Sequence, residues 1–273
     1  MAIADVNGMQ LFYEEVGAGP PALVMHAGLG IDHSPYRSLD PLASRLRLVY
    51  YDHRGNGRSS RPDETELTME AWADDAAALA RHVAGSDPVV VIGHSFGGFI
   101  AQETAIRHGD VVRALILVAT TPGQLGVGEV PAPEGPPMPD EFAELLQAMP
   151  DSDDEMAIQM SRLAPAYLHD APPERLTSLM TQIEFSATAM RRGFEELANW
   201  SAVDRLQHVD VPTLLIAGRY DAFTAWPQSD RIAAHLSDAE VVVLERSGHF
   251  PWLEEPNEFF DAITSWLIAH DIT

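Results

Sequence analysis

Neither cysteine nor lysine occurs among the 273 residues. The first absence excludes disulfides and thiolate metal sites and leaves the redox compartment unmarked. The second makes all 17 basic residues arginine. A P-loop lysine, a Schiff-base lysine and a Ser-Lys dyad are thereby excluded. Positive charge is itself scarce, with 41 acids giving a net charge of −24. Such a surface repels phosphate backbones and anionic lipid, so neither a nucleic-acid nor a membrane partner is expected. No uninterrupted run of about 18 apolar residues is present. The stretch Met1–Gly8 has neither the basic start nor the apolar core of a signal peptide, and the expected location is cytoplasmic. The 11 histidines show no H-E-x-x-H or similar spacing, and no G-x-G-x-x-G follows a strand pattern. No metal and no other cofactor is expected.

What is present is an alternation of apolar runs and amphipathic segments. Met9–Glu14 alternates and reads as an edge strand paired through the Asn7-Gly8 turn. Ala22–His26, Leu46–Tyr51, Val89–Ile92, Ala114–Ala119, Thr213–Ala217 and Glu240–Leu244 read as parallel strands. Ala71–Val83, Phe99–Arg107, Pro227–His235 and Glu258–His270 read as helices on the sheet faces. This pattern predicts an α/β fold with a doubly wound, mostly parallel sheet. Residues 122–205 carry no convincing strand. They open on a proline-rich linker and continue as four helical patterns, Asp140–Ala148, Asp153–Ala164, Glu174–Phe185 and Met190–Ala198. The expected organisation is a core of 1–121 and 206–273 with a helical cap at 122–205, inserted between two strands. That cap holds 15 acids against 5 arginines.

The sharpest signal is Gly93-His94-Ser95-Phe96-Gly97, placed between a buried strand and a helix. A strand, a G-x-S-x-G turn and a helix together make a nucleophile elbow. A β-carbon two positions either side of the serine would clash in so tight a turn, and the serine itself takes a strained backbone conformation. A serine hydroxyl needs a base within hydrogen-bond reach, and the base needs an orienting acid. The order Ser, acid, His is met by Asp221, in the loop after Thr213–Ala217, and His249, in the loop after the last strand. Both fall at carboxyl ends of strands, the rim at which such sheets bind ligands. Backbone amides of Gly28 and Phe96 are the expected oxyanion donors. His26 reads as a structural residue that hydrogen-bonds and shapes the Gly28 loop. His94 is expected to face away from the nucleophile, and Arg54 to serve as a scaffold ion-pair partner.

The elbow, the His26–Gly30 loop, the Asp52–Ser59 loop, Asp221 and Ser247-Gly248-His249 together resemble the α/β-hydrolase superfamily. The resemblance implies a parallel-rich sheet, a variable cap and cofactor-free acyl transfer on Ser95, Asp221 and His249. Asp52-His53-Arg54-Gly55-x-Gly57-x-Ser59 and Ser247-Gly248-His249-Phe250-Pro251-Trp252 are similar to the proline iminopeptidase-like group. That group usually has H-G-G-P-G and G-G-S-W-G-G where this chain has His26-Ala27-Gly28-Leu29-Gly30 and Gly93-His94-Ser95-Phe96-Gly97-Gly98. These departures weigh against peptidase activity and leave the hydrolase reading intact. Dehalogenase and epoxide-hydrolase relatives place an aspartate where Ser95 stands.

Three functions follow as expectations. The first is a serine hydrolase acting on the ester, lactone or amide bond of a small, partly apolar substrate. The second is an aminopeptidase that removes an N-terminal aminoacyl group, its ammonium met by Glu184, Glu195 or Glu196. The third is a non-catalytic ligand-binding homologue. Leu125, Met138, Phe142, Leu146, Met149, Met160, Tyr167, Met180, Phe185 and Met190 are the expected apolar roof of the pocket, with Phe185 among the substrate-binding candidates.

Overall fold

A computed structural model gives the structure of the protein and describes residues 1–123 and 140–272. Among these residues, eight strands form one sheet: β1 Ala2–Val6, β2 Met9–Val16, β3 Pro21–Met25, β4 Arg47–Tyr51, β5 Val89–His94, β6 Val112–Val118, β7 Thr213–Gly218 and β8 Ala239–Leu244. Their spatial order is β1-β2-β4-β3-β5-β6-β7-β8. The β1/β2 and β2/β4 pairs are antiparallel, and all the others are parallel. The sheet is therefore mostly parallel, as the sequence alternation implies.

The expected edge strand is not the edge. β2 lies between β1 and β4, and β1 takes the outer position. Asn7 (φ 50°) and Gly8 (φ 75°) both adopt positive φ, the two-residue turn that matches hairpin twist. β1 escaped the sequence reading because only Ala4 of its five residues is buried, which leaves no apolar alternation to detect.

Helices α1 (Met69–Ala84) and α2 (Phe96–Arg107) pack side by side, and α2 lies over β3, β5 and β6. The Thr68 hydroxyl accepts from the Ala71 amide and starts α1, a side-chain cap at the position where serine and threonine are favoured. α2 begins at Phe96, directly after Ser95, rather than at Phe99. Every residue of β5 is buried, which requires cover on both faces of the sheet. A 3-10 segment, Ser34–Ser44, covers β4, and helices α7 (Pro227–Ala233) and α9 (Pro256–Ala269) pack on β7 and β8. The short helix α8 (Pro251–Glu254) joins α9 to that 3-10 segment.

Between β6 and β7 the described chain is helical: α3 Asp140–Gln147, α4 Asp153–Leu163, α5 Glu174–Met180 and α6 Ala187–Leu197. α5 stops at Met180, short of the expected Phe185. The Glu184 amide donates to the Asp32 carboxylate at 2.9 Å, and the Ser186 amide to Gly30 O at 2.8 Å. These core acceptors hold the segment out of the helix. Ser186 then caps α6 through the Ala189 amide, so α6 begins at Ala187 and not at Met190. Where the segment joins the core, Gly123 and Ser201 form an antiparallel bridge, and the Ala202 amide donates to Pro122 O at 2.7 Å.

Arg54 makes a two-pronged contact to Asp75 of α1, with both hydrogen bonds at 2.6 Å. This is the scaffold ion pair expected of it. No helix among the described residues is long and apolar enough to cross a membrane.

Candidate active site

The strand order reverses between β3 and β5: from β3 the chain goes outward to β4, and from β5 it goes the other way to β6. A crevice opens at such a switch point, outside the carboxyl ends of the strands. The Ala27–Gly30 loop leaves β3 on one side of it, and Ser95 leaves β5 on the other.

Ser95 sits at φ 50° and ψ −114°, a strained conformation for a residue with a β-carbon. Its surroundings hold it there. The Ser95 amide donates to Val118 O at 2.9 Å, and Ser95 O accepts from the Gly98 amide and the Thr120 hydroxyl, each at 2.9 Å. A β-carbon at Gly93 would lie 2.6 Å from Gly97 O, and one at Gly97 would lie 2.1 Å from Met25 O. The flanking glycines are thus required by close backbone approach, as the pentapeptide implies.

Asp221 lies in the loop after β7 and is 1% exposed. One oxygen accepts from the amides of Phe223 (2.8 Å) and Thr224 (3.0 Å). The other accepts from the Thr224 hydroxyl (2.6 Å) and lies 2.8 Å from His249 Nδ1. A carboxylate accepts only, so Nδ1 carries a proton toward Asp221. Burial alone pushes the Asp221 carboxyl up. The His249 charge, with the hydrogen bonds from His249 and Thr224, outweighs burial and holds it at about 2.

His249 is fixed from two further directions. Its amide donates to Tyr167 O at 2.8 Å, and the Tyr167 ring stacks on the imidazole with centroids 5.3 Å apart. Its carbonyl lies 2.8 Å from His94 Nε2. His94 is absent from the cavity walls and packs behind His249, with ring centroids 4.7 Å apart.

His26 Nδ1 lies 3.0 Å from Ala27 O, and His26 Nε2 accepts the His53 amide at 3.1 Å. Burial lowers the His26 pKa, which keeps Nε2 available as an acceptor. The peptide unit is planar and trans, so a hydrogen bond that holds Ala27 O also sets the direction of the Gly28 N–H on the opposite edge. The amides of Phe96 and Gly97, in the first turn of α2, have no intrahelical acceptor.

Ser95, His249 and Gly28 line two adjoining lobes of one chamber. Met160 and Tyr167 of the inserted segment line both lobes. The larger lobe adds Phe96, Phe99, Phe142, Met190 and Phe194, and the smaller adds Ile31, Leu176, Met180 and Phe250. No acidic or arginine side chain lines either lobe among the described residues.

Of the expected roof, Phe142, Met160, Tyr167, Met180 and Met190 line the chamber, and Met149 and Phe185 do not. Leu125 and Met138 lie outside the described residues, as does the side chain of Leu146.

The three acids expected to meet an ammonium are placed elsewhere. Glu184 is exposed. Glu195 pairs with Arg192. Glu196 pairs with Arg192 at 2.9 Å and accepts the Met69 amide at 3.0 Å, at the start of α1. Phe185 lines an outer groove beside Asp153 and Asp154. Helical spacing alone does not say which way α6 turns, and α6 turns Glu195 and Glu196 away from the chamber.

Three residues that hold the site have no counterpart in the sequence expectations: Tyr36, whose hydroxyl accepts the Ala27 amide at 2.7 Å, Thr224, and Glu254, which accepts the Gly248 amide at 2.5 Å. The one available signal was for Thr224, three residues after an aspartate in a turn. The others touch the site across 80 or more positions of chain or through backbone groups.

A family model described as "Alpha/beta hydrolase family" matches residues 22–262. The chain belongs to that family. It is 26% identical to Proline iminopeptidase PfmaB from Pestalotiopsis fici, over 96% of this chain and 98% of that protein. It is 25% identical to the pimeloyl-[acyl-carrier protein] methyl ester esterase of Aeromonas hydrophila, over 95% of this chain and all of that one. Among solved structures, the enol-lactonase from Burkholderia xenovorans LB400 shares the fold, with a TM-score of 0.80 at 22% identity, covering 98% of this chain and 100% of the other.

Proposed function

We propose that the protein is a serine hydrolase that cleaves an uncharged carboxylic ester or lactone with apolar groups on both sides of the carbonyl. One arrangement carries the reading. Ser95 and His249 share the walls of both apolar lobes, and Asp221 holds the far nitrogen of the imidazole at 2.8 Å.

In this reading the Ser95 hydroxyl attacks the carbonyl carbon while Nε2 of His249 takes its proton. Asp221, ionised from about pH 2 upward, stabilises the imidazolium. The Gly28 and Phe96 amides receive the oxyanion, and each such donor is worth roughly 2.7–4 kcal/mol in the transition state. His249 returns the proton to the leaving alkoxide. Water, deprotonated by the same nitrogen, then releases the acid from Ser95. Residues 122–205, taken as the cap, supply most of the apolar wall and so set the substrate.

The aminoacyl reading has support from the names of relatives, proline iminopeptidases among them. The chamber speaks against it. An ammonium buried without a carboxylate is costly, and neither lobe offers one among its described lining residues. The reading as a non-catalytic binding protein has no observation in its favour.

The test is a panel of p-nitrophenyl esters of rising acyl length, beside an aminoacyl p-nitroanilide and a neutral lactone. Esters or lactones should turn over and the anilide should not. Ser95→Ala should lower kcat by about 10⁴-fold or more, and a fluorophosphonate should label the wild type at Ser95. Full turnover by the alanine variant would remove the proposal, and a faster anilide would restore the aminopeptidase.

A further inference from the structure

We propose that Tyr36 and His94 are positioning residues, which join the oxyanion loop to the loop of the general base through one buried chain of hydrogen bonds. The inference rests on the reading of Ser95 and His249 given above. It goes beyond that reading by assigning work to two side chains that never meet the substrate.

The direction of every bond in the chain is fixed by its two ends. The Ala27 amide can only donate, and it lies 2.7 Å from Tyr36 Oη. The His249 carbonyl can only accept, and it lies 2.8 Å from His94 Nε2. His94 therefore carries its proton on Nε2, and its Nδ1 is left as an acceptor. The remaining contact, 2.7 Å between Tyr36 Oη and His94 Nδ1, is then a donation from the tyrosine. Each hydrogen-bonding group in the chain is used once, with one tautomer and one hydroxyl orientation. Tyr36 is fully buried and His94 is 2% exposed. Burial pushes the His94 imidazole well below its ordinary range and the Tyr36 phenol well above its own, so both stay neutral and the pattern persists.

The ends of the chain are the two places where geometry matters to acyl transfer. Ala27 immediately precedes Gly28, whose amide faces the developing oxyanion in the proposed mechanism. The His249 carbonyl belongs to the residue that moves the proton. Between them, His94 is the residue before Ser95. His94 is also packed against Phe250 and Trp252, with centroids at 4.9 and 4.8 Å, so it has no alternative position to relax into. Neither Tyr36 nor His94 lines either lobe. Their effect on substrate therefore passes through the loops they hold.

Tyr36→Phe removes one oxygen and keeps the ring. With p-nitrophenyl acetate, whose acyl group is too short to depend on the lobes, kcat should fall about five- to tenfold, the worth of one such hydrogen bond. KM should stay within about twofold, because no ground-state contact is lost. Affinity for a short alkyl boronic acid, which mimics the tetrahedral intermediate on Ser95, should fall by the same factor as kcat. His94→Gln should lower kcat similarly, and the double variant should lose less than the product of the two single losses, since both cut one chain. The Nε2–H tautomer of His94 is read separately by NMR of ¹⁵N-histidine-labelled wild type, whether or not turnover is found.

A folded Tyr36→Phe with unchanged kcat and unchanged boronic acid affinity would overturn the proposal. So would a change in KM alone, or an Nδ1–H tautomer at His94. Fully multiplicative losses in the double variant would overturn it as well. If Tyr36→Phe fails to fold, unaltered kcat in His94→Asn and His94→Gln overturns it, and parallel loss of kcat and boronic acid affinity in them supports it. A wild type inert toward every ester, or an active Ser95→Ala, would instead remove the underlying assignment of Ser95.

Discussion

Asp221 shows how a single residue is tuned. Its carboxyl is held at about 2, below the roughly 3.9 of an unfolded aspartate. The depressed value means that its contribution to stability is complete above about pH 4 and is lost as the pH falls through 2. The thermal midpoint of the wild type should therefore drop across that window, and Asp221→Asn should flatten this part of the profile. At neutral pH the same variant should retain the fold and lose about 10⁴-fold in kcat, because an asparagine amide can favour the wrong imidazole tautomer. A kcat within tenfold of wild type would show that another acid orients His249. The placement of Ser95, Asp221 and His249 beyond the ends of β5, β7 and β8 was legible in the sequence because each follows a recognisable strand. The acids of the inserted segment misled for a physical reason: a count of carboxylates carries no direction, and Glu196 is spent on the Met69 amide. The partnership of Tyr36 with His94 spans 58 positions and leaves no local pattern at all.

Among the elements, the elbow leaves no room for a side chain at its glycines. Gly97→Ala would set a methyl group 2.1 Å from Met25 O, a backbone atom of a buried central strand that cannot move aside. Overpacking of this kind typically costs about 1–3 kcal/mol, and here it also displaces α2. The expected outcome is a lower denaturant midpoint together with lost turnover, measured by urea unfolding and ester hydrolysis. The strap from Tyr167 to Ala171 depends on a different device. One oxygen of Glu254 accepts the amides of His169 (2.7 Å), Asp170 (2.8 Å) and Ala171 (3.3 Å), and the other accepts the Gly248 amide at 2.5 Å. In Glu254→Gln a side-chain NH₂ would oppose one of these donors. Because Tyr167 lines both lobes, the variant should raise KM for long-chain esters several-fold more than for acetate. Equal effects on both would show that the strap does not shape the chamber. Strand and helix positions were readable from periodicity, and helix ends were less so. The end of α5 is set by Asp32 and Gly30, acceptors about 150 residues earlier, rather than by any stop signal of its own.

Taken whole, the molecule is an acidic body around a chamber whose described lining holds no acid and no arginine. The net charge of −24 sets up a field that disfavours anions approaching the site. An ester bearing a carboxylate should react more slowly than its neutral counterpart at low salt. Its kcat/KM should rise as ionic strength goes from about 0.01 to 1 M, where the screening length shrinks from roughly 30 to 3 Å. The neutral ester should show little change, and a rise of equal size for both would assign the effect to something other than charge. The composition made this field visible at once. It could not reveal that the described lining of the chamber holds no acid and no arginine, because that depends on how the helices after β6 are turned.

The pairing of Gly123 with Ser201, backed by Ala202 on Pro122, gives the inserted segment a single narrow stem. Its two ends leave the sheet side by side, so a different sequence of almost any length could be grafted there without stretching β6 away from β7. Ser95, Asp221 and His249 all lie outside the stem. Such a transplant would exchange the segment's share of the chamber wall, and the incoming sequence would also have to replace the Tyr167 carbonyl and ring that hold His249.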